Sequence, residues 1–150
     1  MFRHEGPSRS TRKNTILAAY LALVAGFVDS SGLLLLNVFT SHVTGSVGRL
    51  GQDVAMGNAA AAGFVFLLVF AFFVGALVAS LILTAGFRLL PTAYGSALVL
   101  EASLVLAFVV LPVTPLPHGL SFDAALLCAA MGMQNSLVTR LSGAVVHTTH

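Results

Sequence analysis

The chain predicts an all-α fold, that of a polytopic helical membrane protein, and three observations carry the prediction. Apolar residues fill 57% of its 150 positions and charged residues only 8%, against about 25% charged in ordinary soluble domains. Four separate apolar stretches are each long enough to span a bilayer, which takes about 20 helical residues. The mean hydropathy of +0.97 leaves little with which to build a water-facing surface.

Taken in order, residues 1–14 hold Gly, Pro, Ser, Thr and a basic cluster with little to bury, so Met1 to Lys13 read as a disordered cytoplasmic tail. The first span is 15–36, interrupted only by Gly26, Asp29, Ser30, Ser31 and Gly32. A cleaved signal peptide would also begin with a basic region and an apolar run. Here the run continues past any small-residue cleavage site, and three more spans follow. From Asn37 to Asn58 the chain turns polar and glycine-rich, with Gly45, Gly48, Gly51 and Gly57. It is either a loop or a short half-helix dipping back into the membrane, which is tolerated only where protein or a water-filled cavity covers the backbone. We favour partial re-entry.

The second span, 59–87, is rich in Phe and Ala, with Gly63, Gly75, Ala79 and Ser80 suited to close helix contact. Arg88 ends it and Pro91 blocks its continuation. The third span, 92–111, is interrupted by Glu101, and Pro112, Pro115 and Pro117 make the next turn. The fourth is 121–138, where Ser121 or Asp123 can cap the amino end.

Four of the seven basic residues, Arg3, Arg9, Arg12 and Lys13, lie in the first thirteen positions. They read as a topology signal rather than as a phosphate-binding surface, so nucleic acid is not expected as a partner. With the amino terminus in the cytoplasm, Arg88 and Arg140 fall on the same side and Arg49 alone lies opposite. The lone Cys128 excludes an internal disulfide and a cysteine metal cluster, and reads as a small packing residue.

Two stretches resemble each other. Gly26-Phe27-Val28-Asp29-Ser30 aligns with Gly132-Met133-Gln134-Asn135-Ser136 at an offset of 106, and His42 aligns with His150 at 108. The shared residues are Gly, Asp/Asn, Ser, Thr and His, types that an apolar helix normally lacks. The copies lie in the first and fourth spans, a shift of three, so the fourth crosses in the opposite sense to the first. This predicts a 3+3 inverted-topology repeat, an arrangement that recurs in secondary transporters with sites at the repeat interface, often on broken helices. Gly26 and Gly32 flanking Asp29 would suit such a break. The second unit is expected to be incomplete at His150. Either the chain is a fragment, or its gene product is truncated, or two chains complete one another as a homo-oligomer.

The combination of Ala25-Gly26-Phe27-Val28-Asp29, Phe39-Thr40-Ser41-His42-Val43-Thr44-Gly45, Glu101-Ala102, Met131-Gly132-Met133-Gln134-Asn135-Ser136-Leu137-Val138 and Arg140-Leu141-Ser142-Gly143 through Thr148-Thr149-His150 resembles the YoaK-like family of bacterial integral membrane proteins. The resemblance covers nearly everything from Thr15 onward. It implies a multi-pass protein of the bacterial inner membrane, and members of that uncharacterised family continue beyond the second histidine motif with further helices.

The polar residues inside the spans are the candidate site, because an intramembrane carboxylate costs at least ~2.5 kcal/mol on insertion scales. Gly26, Asp29 and Ser30 fall at i, i+3 and i+4 and share a helix face, as do Gly132, Asn135 and Ser136. Asp29 reads as a proton or cation acceptor with Asn135 as its neutral counterpart; the alternative is an aspartate that only hydrogen-bonds the following turn. His42, with Thr40, Ser41 and Thr44, reads either as a proton relay or solute-binding cluster or as an ordinary loop histidine. Glu101 is the deepest acid, serving either ion coupling or an internal helix-packing hydrogen bond.

His147 and His150 have ligand-like spacing, but no carboxylate or cysteine lies near them in that segment, so no metal is assigned. No Ser-His-Asp set, Gly-x-Ser-x-Gly elbow or Walker loop appears. The chain is therefore read as neither an enzyme nor a cofactor carrier. A membrane enzyme using His42 and Asp29 as acid and base would need a substrate bond that no motif names. The expectation is a protein embedded in the lipid bilayer that moves a small solute or ion through a cavity lined by Asp29, His42, Glu101 and Asn135. The rival is a non-transporting scaffold whose polar groups only join helices.

Overall fold

A computed structural model of the chain describes residues 11–36, 38–89, 93–111 and 122–141. The described residues form five helices and no strand: α1 (Thr11–Leu36), α2 (Val43–Ala55), α3 (Ala59–Leu89), α4 (Ala93–Val110) and α5 (Phe122–Leu141). The four long ones correspond to the four predicted spans. The bundle is built around α5, which lies along α3, is flanked by α4 and is touched lightly by α1, while α2 packs on α3. Leu127, Cys128, Met131, Met133, Leu137 and Val138 of α5 are all buried.

Small residues allow α3 and α5 to meet backbone to backbone. A Cβ added to Gly75 would overlap the carbonyl of Ala129, and one added to Gly132 would overlap the carbonyl of Phe72. Close approach of this kind replaces side-chain interdigitation with main-chain contact. The two helices run parallel. Towards their amino ends Phe64 and Leu68 pack with Ala124 and Cys128; towards their carboxyl ends Arg140 donates from Nη2 to Ser80 Oγ and Thr84 Oγ1, both at 3.0 Å. Beside that lower half, Ala97 and Leu104 of α4 join Ala79, Leu83, Met133 and Leu137 in one apolar cluster.

Within α3, Ala59–Thr84 is 26 residues long and apolar enough to cross a membrane; Leu23–Leu36 and Gly95–Val110 are shorter apolar helical stretches. The outward stripe of α3 is Phe66, Phe70, Phe73, Leu77 and Leu81, all exposed, spaced by three or four residues as one helical face requires.

Two expectations need correction. First, α1 begins at Thr11, so Thr11 to Asn14 are helical rather than part of a disordered tail. Second, α1 runs unbroken through Gly26 and Gly32 to Leu36. A helix interior tolerates glycine at a cost of only about 1 kcal/mol, and Gly32 serves instead to admit the returning chain. Of the two readings of the stretch after Asn37, a loop or a short half-helix, the described residues form a helix: Val43 to Ala55 are α2, with Arg49 Nε 3.9 Å from Asp53 Oδ2 one turn on. Gly57, at φ 71°, then reverses the chain into α3. Residues 1–10, the proline turn at 112–117 and the histidines His147 and His150 lie outside the described residues.

The direction of α2 matters for the site. Its carboxyl end joins the first residue of α3 through Met56 to Asn58, whereas Val43 and Ser46 at its amino end share a pocket with Leu68, Val69 and Phe72. Phe72 lies at the midpoint of Ala59–Thr84. α2 and the first half of α3 are therefore an antiparallel hairpin, each arm ~20 Å long at 1.5 Å per residue. The amino terminus of α2 points at the middle of the apolar helix.

Candidate functional site

Between α1 and α2 the chain doubles back along α1. Val38 N–H donates to the Gly32 carbonyl at 3.5 Å. Gly32 is the seat of this reversal, because a Cβ there would come within 2.8 Å of Thr40 Cγ2 and 3.2 Å of the Val38 carbonyl. One helical turn earlier, Asp29 holds the returning strand. Its Oδ1 accepts from Thr40 N at 2.6 Å, from Thr40 Oγ1 at 3.1 Å and from Ser41 N at 2.9 Å; its Oδ2 accepts from Ser41 Oγ at 2.9 Å. Thr40 is 2% exposed and Ser41 7%. Four donors on one carboxylate occupy both of its oxygens as acceptors.

The clamp delivers His42 to the start of α2. His42 is the residue before the first turn, at φ −84° and ψ 72°, and its side chain makes no capping bond. Its carbonyl accepts from Ser46 N at 3.0 Å and Ser46 Oγ at 2.9 Å, which leaves the imidazole to stack edge-on against Phe39, with centroids 5.5 Å apart. The ring lines a pocket with Phe39, Thr40, Val43, Ser46, Leu68, Val69, Phe72 and Cys128. The pocket is small, about 10 Å³, close to the least that one water needs. Helix amino termini carry partial positive charge and N–H groups that have no partner within the helix. The arrangement can therefore present donors and an imidazole to a small polar group midway along α3.

Of the sequence-predicted residues, Asp29, His42 and Thr44 come together here, Thr44 as an exposed residue in the first turn of α2. Ser30 is exposed on α1. Glu101 lies elsewhere, between Ala97 and Leu104 on the face of α4 that meets α5, with its Oε2 buried and without a hydrogen-bond partner. Asn135 is half-buried on α5 and has an interaction partner. The His42 pocket includes none of Asp29, Glu101 and Asn135. The oxygens of Asp29 are taken up by Thr40 and Ser41, and Glu101 belongs to the seam between α4 and α5. The paired glycines also differ, since Gly132 is pressed against α3 while a Cβ on Gly26 would meet nothing within 4 Å.

Sequence reasoning passed over Gln134. It is 3% exposed, with its Oε1 unpartnered. An uncharged amide inside an apolar run drew less notice than the Asn-Ser pair after it. Asp123, also buried, sits in the first turn of α5 with Oδ2 unpartnered. Among the described residues no group of three or more His, Cys, Asp or Glu side chains could hold a metal ion.

Fold and site together define an all-helical bundle with at least one helix fit to cross a membrane and a polar, hydrogen-bonded turn at its mid-height. The chain belongs to the family described as Protein of unknown function (DUF1275), whose model matches residues 17–150. YoaK-like proteins fall within that family. No curated protein and no solved structure matches the chain.

Proposed function

We propose that the protein is a multi-pass membrane protein that moves a small solute or ion, with α2 as a re-entrant half-helix facing the solute. The observation that carries this reading is the depth of the Asp29 to His42 turn, level with the middle of the Ala59–Thr84 helix rather than at its end. Hydrogen-bonded turns and inward-pointing helix termini at mid-depth are what solute sites in inverted-repeat carriers are made of. Exposed apolar stripes on α1 (Leu23, Phe27, Leu34), on α3 and on α4 (Val99, Leu106, Val110) support several membrane crossings rather than one. Leu36 packs on the cluster that contains Ala124 and Cys128, and α1 touches α5, which fits opposite crossing senses for the two helices. The resemblance to YoaK-like proteins supports the bacterial inner membrane as the location.

A second reading has one observation in its favour. All four bonds to Asp29, and both from Arg140, are made to the chain itself, as expected of a scaffold whose polar groups join helices. Flux decides between them. In vesicles containing the full chain, a solute or ion gradient should be dissipated, and His42→Ala should slow this at least tenfold while leaving the fold intact. A protein that folds, inserts and dissipates no gradient of protons, cations, anions or small solutes is the scaffold.

A further inference from the structure

We propose that Glu101 and Gln134 form a proton-binding site in the seam between α4 and α5, in which Glu101 takes up one proton from water and donates it to Gln134 Oε1. The inference rests on the transport reading only for its use, in which this proton is the coupling ion; the site itself rests on geometry.

Ala97, Glu101 and Leu104 fall at i, i+4 and i+7 and so share one face of α4. Ala97 and Leu104 pack in one cluster with Met133 and Leu137 of α5, which turns Glu101 towards α5 between them. Gln134 is 3% exposed and precedes Leu137 by three residues, so it borders Leu137 on the same side of α5. Both residues bury an oxygen that accepts no hydrogen bond, Glu101 Oε2 and Gln134 Oε1. Two acceptors in an apolar seam lack a donor, and burying such groups unpaired is costly. A proton on Glu101 turns one acceptor into a donor and satisfies both.

Among the described residues, the charged groups of the neighbouring helices do not do so. Between Ala59 and Thr84, α3 has no charged residue. On α5, Arg140 is engaged with Ser80 and Thr84, and Asp123 lies at the far amino end. Among the described side chains there is thus neither a cation beside Glu101 to hold it ionised nor a second acid to compete for its proton.

Infrared spectroscopy of the full chain in lipid vesicles tests this directly. At neutral pH the spectrum should contain the carbonyl band of one protonated carboxylic acid. Isotopic labelling of the glutamate carboxyls should move that band, and the only other glutamate, Glu5, lies in the basic amino-terminal segment. The band should vanish in Glu101→Gln and shift to higher frequency in Gln134→Leu, where the hydrogen bond is lost. Because labelling needs no substitution, failure of a variant to fold leaves the test standing. A band that ignores the label, or that Gln134→Leu leaves in place, overturns the site, as does its removal by sodium at constant pH, which would make the occupant a metal cation. A glutamic-acid band without proton-driven flux would sink the coupling role and keep the site; flux without the band would sink the site, and its coupling role with it, and keep the transport reading.

Discussion

Asp29 gathers four donors from two consecutive residues eleven and twelve positions away. Hydrogen bonds to a charged acceptor are worth more than neutral ones, and leaving their donors buried and unpaired costs more still. Asp29→Ala should therefore lower stability by about 3 kcal/mol, read as an earlier thermal transition in detergent. Asp29→Asn should be nearly as harmful, because an amide sets its own N–H groups against donors. A transition unchanged in both variants would show that the returning strand holds without the clamp. The sequence shows every participant, the acid, the hydroxyls and the histidine, but not their pairing, since that depends on the reversal at Val38 that Gly32 makes room for. Gly26 and Gly132 teach the same lesson. Aligned in sequence, they have opposite surroundings, so Gly26→Ala should be neutral or stabilising by up to about 1 kcal/mol, and Gly132→Ala should cost about 3 kcal/mol through overpacking. Equal effects in the two variants would refute the backbone contact between α3 and α5.

At the scale of elements, α1, α3, α4 and α5 are legible because unbroken apolar runs are the strongest helical signal in such a chain. Their ends shift by a few residues, as at Thr11, where polar residues continue the helix beyond the apolar run. α2 is harder to see. Gly45, Gly48 and Gly51 each cost helix propensity and make the stretch look like a loop, yet Val43, Val47, Leu50 and Val54 recur at the spacing of an amphipathic helix. That stripe was the available signal. If α2 re-enters, a spin label at position 43 should be quenched by a lipid-soluble relaxant far more than by an aqueous one, and a label at position 54 the reverse. Equal depth at both positions would lay α2 along the surface and undo the proposed half-helix. The contact at the other end of the bundle is weaker: Arg140→Ala removes two exposed hydrogen bonds to α3 and should cost about 1 kcal/mol.

For the whole molecule the prediction is one of sidedness. Tags at Arg9 and Arg88 should be reached from the cytoplasm and a tag at Gly51 from the opposite face; Arg88 outside would dismantle the proposed topology. The parallel course of α3 and α5 agrees with this arrangement, because one helix, α4, lies between them in the chain. Their contact at Gly75 and Gly132 also limits what can move. Turning either helix by a single residue would swing a side chain into the opposing main chain, so the pair behaves as a fixed spindle. Any rocking that opens one side of the molecule and closes the other would then have to be carried by helices outside the spindle, above all α1, which touches α5 only lightly and which the Asp29 clamp ties to the turn before α2.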